Sequence, residues 1–186
     1  LASSAVVIAG CATGRGKGPA VISTKSPNEK VNLAAIGCGG KGTEDIYKAS
    51  KAGGENNVVA LCDVDSNQGA ESFGRWPNAK QYKDFRQMLD TQKDIDAVTI
   101  STPDHVHAVA AMYAMALGKH VYVQKPLTHN VYEARMLTEA AHKYGVVTQM
   151  GNQGHSDPGV RELCEMVWDD VIGNVKEVHC WTDRPI

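Results

Sequence analysis

The sequence predicts an α/β fold: a Rossmann-type doubly wound parallel sheet, followed by the truncated start of a second α/β domain with an open sheet. Three observations predict it. Short apolar strands alternate with helical patterns from Val31 to Gln149. Those strands are continuous apolar runs, as a parallel sheet covered on both faces requires. After Gly151 the pattern changes to one helix and one alternating strand, for which no pairing partner follows before Ile186.

The elements follow in order. Val31–Ile36 is apolar and ends at Gly37, which suits a buried strand. Lys41–Lys51 reads as a helix, Val58–Cys62 as a second strand and Ser66–Phe73 as a second helix, with Asp65 placed to cap it. Lys80–Tyr82 reads as a short strand, Phe85–Leu89 as a helical segment and Ala97–Ile100 as the next strand. Asp104–Leu117 has Pro103 at its first turn and Gly118 just past its end, both helix-boundary signals. His120–Val123 is a strand. Val131–Tyr144 is a helix with Ala134, Leu137, Ala141 and Tyr144 on one face. Asn130 and Glu133 form a capping box, and Gly145 is the stop signal. Val146–Gln149 is a further strand, Pro158–Val171 a helix and Val175–Trp181 a strand with one exposed face.

Composition excludes several classes. Of 186 residues, 42% are apolar and 22% charged, with 19 basic against 21 acidic side chains. That balance argues against a disordered chain and against a nucleic-acid binder driven by excess positive charge. No apolar run approaches the roughly 18 residues that mark a membrane-spanning helix. The five cysteines are scattered without a CxxC pair, so neither a disulfide framework nor a structural zinc site is supported. Cys38 and Cys62 sit in apolar strand contexts and read as small buried hydrophobes. Met112 and Met115 read as helix core, and Trp168 and Trp181 as packing at the domain junction.

Residues 1–11 are apolar, rich in small residues, uncharged, and end in Cys11. They read as a truncated export signal, and Ile8–Cys11 resembles a bacterial lipobox, so an exported, periplasmic or lipid-anchored protein is expected, with a cytoplasmic one as the alternative. Residues 12–30, rich in Gly, Ser, Thr, Lys and Pro, read as a flexible linker. Residues 31–155 form the expected nucleotide-binding domain. Residues 156–186 open a second domain for substrate binding and oligomerisation.

Gly37-Cys-Gly39-Gly40-Lys-Gly42 matches G-x-G-x-x-G. The match follows a strand, opens a helix, and precedes Asp63 at the end of the next strand, which is the context a dinucleotide site needs. Gly37 allows the sharp turn, Gly39 lets the backbone approach a pyrophosphate, and Gly42 lets helix and strand pack closely. The helix N-terminus offers N–H groups and partial positive charge to phosphate, and Lys41 either touches that phosphate or is solvated. Asp63 would accept hydrogen bonds from ribose hydroxyls and repel a 2′-phosphate, which favours NAD over NADP. Ser101-Thr102-Pro103 and Gln124-Lys125-Pro126 stand at the carboxyl ends of further strands, where open parallel sheets bind ligands.

Gly37–Gly42, Asp63, Thr102-Pro103 followed by His107, and Lys125-Pro126 together resemble the Gfo/Idh/MocA oxidoreductase family over about residues 31–186. The resemblance implies a bound nicotinamide coenzyme and a sugar, polyol or glycoside substrate, with homo-oligomers formed through a second domain. It implies that Lys125 stands beside the nicotinamide and the substrate hydroxyl, where a neutral amine can take the hydroxyl proton as hydride leaves. Gln124 stands where the family has glutamate, a departure that bears on the charge partner of Lys125. The same fold hosts NAD-dependent glycosidases that act without net redox change, and a non-catalytic dinucleotide-binding module is the third alternative. Residues 124–129 and 149–155 resemble an exported bacterial branch of the family. The resemblance also points to His107 as a coenzyme contact or a loop brace. Asn152, Gln153 and His155 form a polar cluster expected near coenzyme or substrate. His105 and His107, two apart on a helix, do not share a face, so no metal is expected.

Overall fold

The computed structural model describes residues 29–181, and the expectations for residues 1–11 and 12–28 fall outside them. Six strands form one sheet: β1 (Asn32–Ile36), β2 (Asn57–Cys62), β3 (Lys80–Tyr82), β4 (Ala97–Ile100), β5 (His120–Gln124) and β6 (Thr148–Gly151). Their spatial order is β3-β2-β1-β4-β5-β6. β1 pairs in parallel with β2 and β4, β2 with β3, and β4 with β5. The helices α1 (Lys41–Lys51), α2 (Ala70–Arg75), α3 (Phe85–Thr91), α4 (Asp104–Ala116) and α5 (Val131–Tyr144) connect the strands. This is the doubly wound Rossmann arrangement, with the strand order reversing between β1 and β4.

The continuous apolar strands are buried on both faces. Ala34, Ile36, Ala60, Cys62, Val98, Ile100, Val121 and Val123 pack with Met88, Leu89, Ala111 and Met115 in one core cluster. On the other face Leu33, Ala35, Leu61 and Ile46 form a second cluster that also contains Cys38. Fully buried Met115 and half-buried Met112 confirm the reading of α4.

Helix ends obey their local signals. Asn130 accepts the Glu133 N–H at 2.9 Å, while Glu133 Oε2 accepts the His129 N–H at 3.0 Å, a capping box displaced by one residue. Gly145 adopts the left-handed conformation at φ 65°. The buried stripe of α5 consists of Leu137 and Ala140, with Ala141 partly covered. Tyr144 lies exposed instead, because the chain leaves the helix at Gly145 and carries Val146 inward in its place.

Other expectations are corrected. The helix expected from Ser66 begins at Ala70, because Ser66–Gly69 forms a turn: Asp65 accepts the Asn67 N–H at 2.8 Å, and its carbonyl accepts the Gly69 N–H at 3.0 Å. Asp65 thus caps a turn and not a helix. The strand expected over 146–149 is shifted to β6, since Val146 still bonds back to the α5 carbonyl of Ala141.

A second compact unit starts at Gly151. It holds a 3₁₀ turn over Gln153–Ser156 and α6 (Pro158–Trp168), where Asp157 accepts the Gly159 N–H at 3.1 Å. The helix stops short of the expected Val171, at a turn through Asp170 with φ 59°. Residues 175–181 carry no strand. A strand exists only through its ladder partner, and among the described residues none pairs with this segment. Trp168 and Trp181 are exposed, where packing was expected.

Two outcomes follow. A Cβ at Gly42 would stand 1.8 Å from the Gly37 carbonyl oxygen, so Gly42→Ala should destabilise the chain by roughly 3 kcal/mol or more in urea denaturation. Burial pushes the thiols of Cys38 and Cys62 up to about 12 from 9.0. At pH 8 each then carries roughly a thousandfold less thiolate than an ordinary cysteine. Iodoacetamide should modify exposed Cys180 quickly, and Cys38 and Cys62 only on unfolding. The unfolded state releases these protons from about pH 9 upward while the folded state keeps them. Stability therefore falls as pH rises from about 9 towards 12.

Candidate coenzyme site

Where the strand order reverses, the carboxyl ends of β1, β2 and β4 open onto a cavity of about 580 Å³. Gly37, Gly39 and Gly40 of the turn after β1 form one wall, and Asp63 after β2 and Ser101-Thr102-Pro103 after β4 form others. An apolar side is made by Val64, Phe85 and Val106. Seven of the residues expected to bind coenzyme therefore meet in one place.

The glycine turn has a structural cause. Gly37 lies at φ 74°, and a Cβ there would stand 2.8 Å from the Ser101 carbonyl oxygen. Gly39 was expected to clear space for a pyrophosphate. Its hydrogen faces the protein instead, where a Cβ would stand 2.5 Å from the Gln68 carbonyl oxygen. Gly40 has the outward position: φ is 51°, and nothing lies within 4 Å of where a Cβ would point.

Asp63 is half-buried at the cavity and already engaged. Its Oδ2 accepts the N–H groups of Cys38 at 3.0 Å and Gly39 at 3.1 Å, and its Oδ1 accepts the Asp65 N–H at 3.0 Å. The carboxylate thus fixes the glycine turn before any ligand arrives. Two carboxylate oxygens offer about four acceptor sites, so about one further donor can still be taken, at Oδ1.

These residues fit a dinucleotide. Among the described residues the buried Thr102 hydroxyl oxygen has no hydrogen-bond partner, an uncommon state that a ligand's polar group would relieve. The apolar side suits a flat heteroaromatic ring, and the turn presents backbone at the start of α1 to phosphate. Lys41 is not free for that role alone: its Nζ pairs with Glu44 at 2.8 Å and Asp45 at 3.1 Å.

Among the other expected residues, those of the first unit do not line the cavity, His105 excepted. Gly42 packs against the Gly37 carbonyl. His107 is fully buried and braces two loops, with Nδ1 at 2.7 Å from the Pro126 carbonyl oxygen and Nε2 at 2.8 Å from that of Thr102. Both partners are acceptors, so a neutral ring donates to one of them and only the imidazolium donates to both. Of its two expected roles, the structure shows the brace. Gln124 is buried at the end of β5, and Lys125 beside it is exposed, with a cis bond to Pro126. His105 is on the cavity rim. Asn152, Gln153 and His155 belong to the second unit, where the Asn152 carbonyl accepts the His155 N–H at 3.1 Å.

One residue at this edge escapes the motifs. Asp45, on the inner face of α1, is buried. Its Oδ2 accepts Ser101 Oγ and Gln124 Nε2, each at 2.8 Å, and its Oδ1 faces Lys41. The available signal is its spacing: Asp45 stands three residues after Gly42 and next to Ile46, so a charge falls on the helix face that must be inside.

A second cleft, of about 470 Å³, opens at the opposite end of the strands beside Asn57 and Trp76. Two of its cations are already paired, Lys51 with Glu55 and Arg75 with Glu71.

Comparison with known proteins agrees with this geometry. A family model described as an oxidoreductase family with NAD-binding Rossmann fold matches residues 31–152. An inositol 2-dehydrogenase of Burkholderia multivorans is 28% identical over 152 residues, covering 81% of this chain and 45% of that protein. The inositol 2-dehydrogenase of Salmonella paratyphi B is 26% identical over 146 residues, covering 77% and 43%. The crystal structure of myo-inositol 2-dehydrogenase from Lactobacillus plantarum superposes with a TM-score of 0.71 at 26% identity, over 79% of this chain and 43% of that one. The chain thus spans less than half the length of these relatives. With the family model matched over most of its described residues, the chain belongs to the GFO_IDH_MocA oxidoreductase family.

Proposed function

We propose that this chain supplies the NAD-binding portion of an oxidoreductase acting on a hydroxyl group of a polyol or sugar. The observation that carries the reading is Asp63: a half-buried carboxylate that orders the glycine turn and stands at a cavity able to accept a dinucleotide. The inositol 2-dehydrogenases among its relatives favour a cyclic polyol.

Each residue has a definable task. Asp63 accepts a ribose hydroxyl, and its charge, with that of Asp65 on the same wall, disfavours a 2′-phosphate. The start of α1 binds phosphate through backbone N–H groups. Thr102 offers a hydroxyl that has no partner among the described residues. His107 holds the loops after β4 and β5 together. When bound, the nicotinamide supplies the hydride acceptor. Lys125, exposed at the end of β5, takes the proton of the substrate hydroxyl when its amine is in the neutral form.

Calorimetry on the chain should show NAD binding, with NADP weaker by roughly tenfold or more, since a charge and a hydrogen-bonded pair are both at stake. Asp63→Asn should weaken NAD by about 10- to 100-fold and narrow that preference, because the amide replaces one acceptor with a donor facing N–H groups. Equal affinity for both coenzymes would remove the role given to Asp63. In the natural full-length protein, Lys125→Met should lower turnover on inositols by roughly 10²–10⁴ while leaving coenzyme affinity within about twofold. Full turnover in that variant would end the assignment of Lys125.

A further inference from the structure

We propose that Asp45 is a positioning residue for Lys125, acting through the Gln124 side chain, and that position 124 carries an amide because the carboxylate of the pair sits on α1.

The side chain of Asp45 is 2% exposed. A carboxylate so deeply placed persists only with charge and hydrogen-bond partners, and Lys41, Ser101 and Gln124 are among those it has. Lys41 opens α1 at the phosphate-side turn, Ser101 follows β4, and Gln124 ends β5. One buried group therefore ties together the three segments that must hold their spacing for a coenzyme and a proton-transferring lysine to work on the same substrate.

The Gln124 amide transmits this tie in one direction only. Its Nε2 donates to Asp45 Oδ2 at 2.8 Å, and its Oε1 accepts the Lys125 N–H at 2.9 Å. Turning the amide over would set oxygen against carboxylate oxygen and N–H against N–H. The carboxylate thus decides which way the amide faces, and the amide holds the backbone from which the Lys125 side chain leaves. A glutamate in place of Gln124 would oppose two buried carboxylates at the same separation, so with Asp45 present the amide is the residue that fits. The acid and the amide could exchange places and keep the connection. With Asp45→Asn and Gln124→Glu combined, the amide on α1 would donate to the carboxylate at the end of β5, whose other oxygen would still accept the Lys125 N–H. The inference rests on the proposed function only for the task of Lys125; the connection itself is independent of coenzyme.

The test uses this chain as Asp45→Asn, Gln124→Glu and the double exchange. Amide hydrogen exchange at Lys125 and melting temperature at pH 7 and pH 5 are the readouts. Asp45→Asn should speed exchange at Lys125 by roughly tenfold or more, since the amide is no longer oriented. Gln124→Glu should lower the melting temperature at pH 7, and its deficit against the parent should shrink at pH 5 as the two acids come to share a proton. The double exchange should recover most of both losses. Packing alone predicts neither the pH-dependent deficit of a near-isosteric change nor recovery by a second substitution. Unchanged exchange at Lys125 in Asp45→Asn, or a double variant no better than the worse single one, overturns the proposal. If Asp45→Asn does not fold, the pH behaviour of Gln124→Glu and the melting of the double variant decide it. Loss of NAD binding by the parent would defeat the proposed function and leave this result standing.

Discussion

The carboxyl edge of the sheet is organised by how closely α1 enters over the end of β1. The approach of Gly42 to the Gly37 carbonyl leaves no room for a side-chain carbon. That contact aims the start of α1 at the place where the strand order reverses. It also carries Asp45, three residues further along, inward to the ends of β4 and β5. The placements of the glycine turn and of the buried carboxylate therefore share one cause. A bulkier residue at 42 would lift the helix and disturb both.

Much of this fold is legible in the sequence because its signals are local. Continuous apolar runs give β1, β2, β4 and β5 nearly to the residue, and Asn130 and Gly145 give both ends of α5. Readings failed where the deciding contact is distant. Residues 175–181 alternate like a strand, yet pairing is a property of two segments and the second is absent among the described residues. Ser66–Gly69 fits a helical window until Asp65 and its neighbours close a turn with their own polar groups. Tyr144 follows the helical stripe, but the chain turns away one residue later.

The candidate site divides in the same manner. Gly37, Gly39, Gly40, Asp63 and Ser101–Pro103 are recognisable because motif spacing encodes a strand–turn–helix, and the fold brings them to one cavity. Their detailed tasks are not encoded that way. Gly39 faces Gln68, a residue brought near only by the loop before α2. Gln124 looks like a lost charge in the sequence. Beside Asp45 it is the neutral half of a pair whose acid lies on another element.

These details bear on how an exposed lysine can be accurately placed. Gln124 before it is held by Asp45, which reaches over from α1. Pro126 after it is held by His107, which reaches over from α4 and also grips Thr102. Two separate helices thus pin the residues on either side of Lys125, and each does so through a group that also touches the loop after β4. The backbone of Lys125 is fixed relative to the cavity wall at Ser101 and Thr102, while its side chain stays in solvent. Such an arrangement limits where the amine can be delivered without burying it. The proton transfer proposed for Lys125 calls for that combination, since near-attack placement matters more to such a step than tight enclosure of the side chain itself.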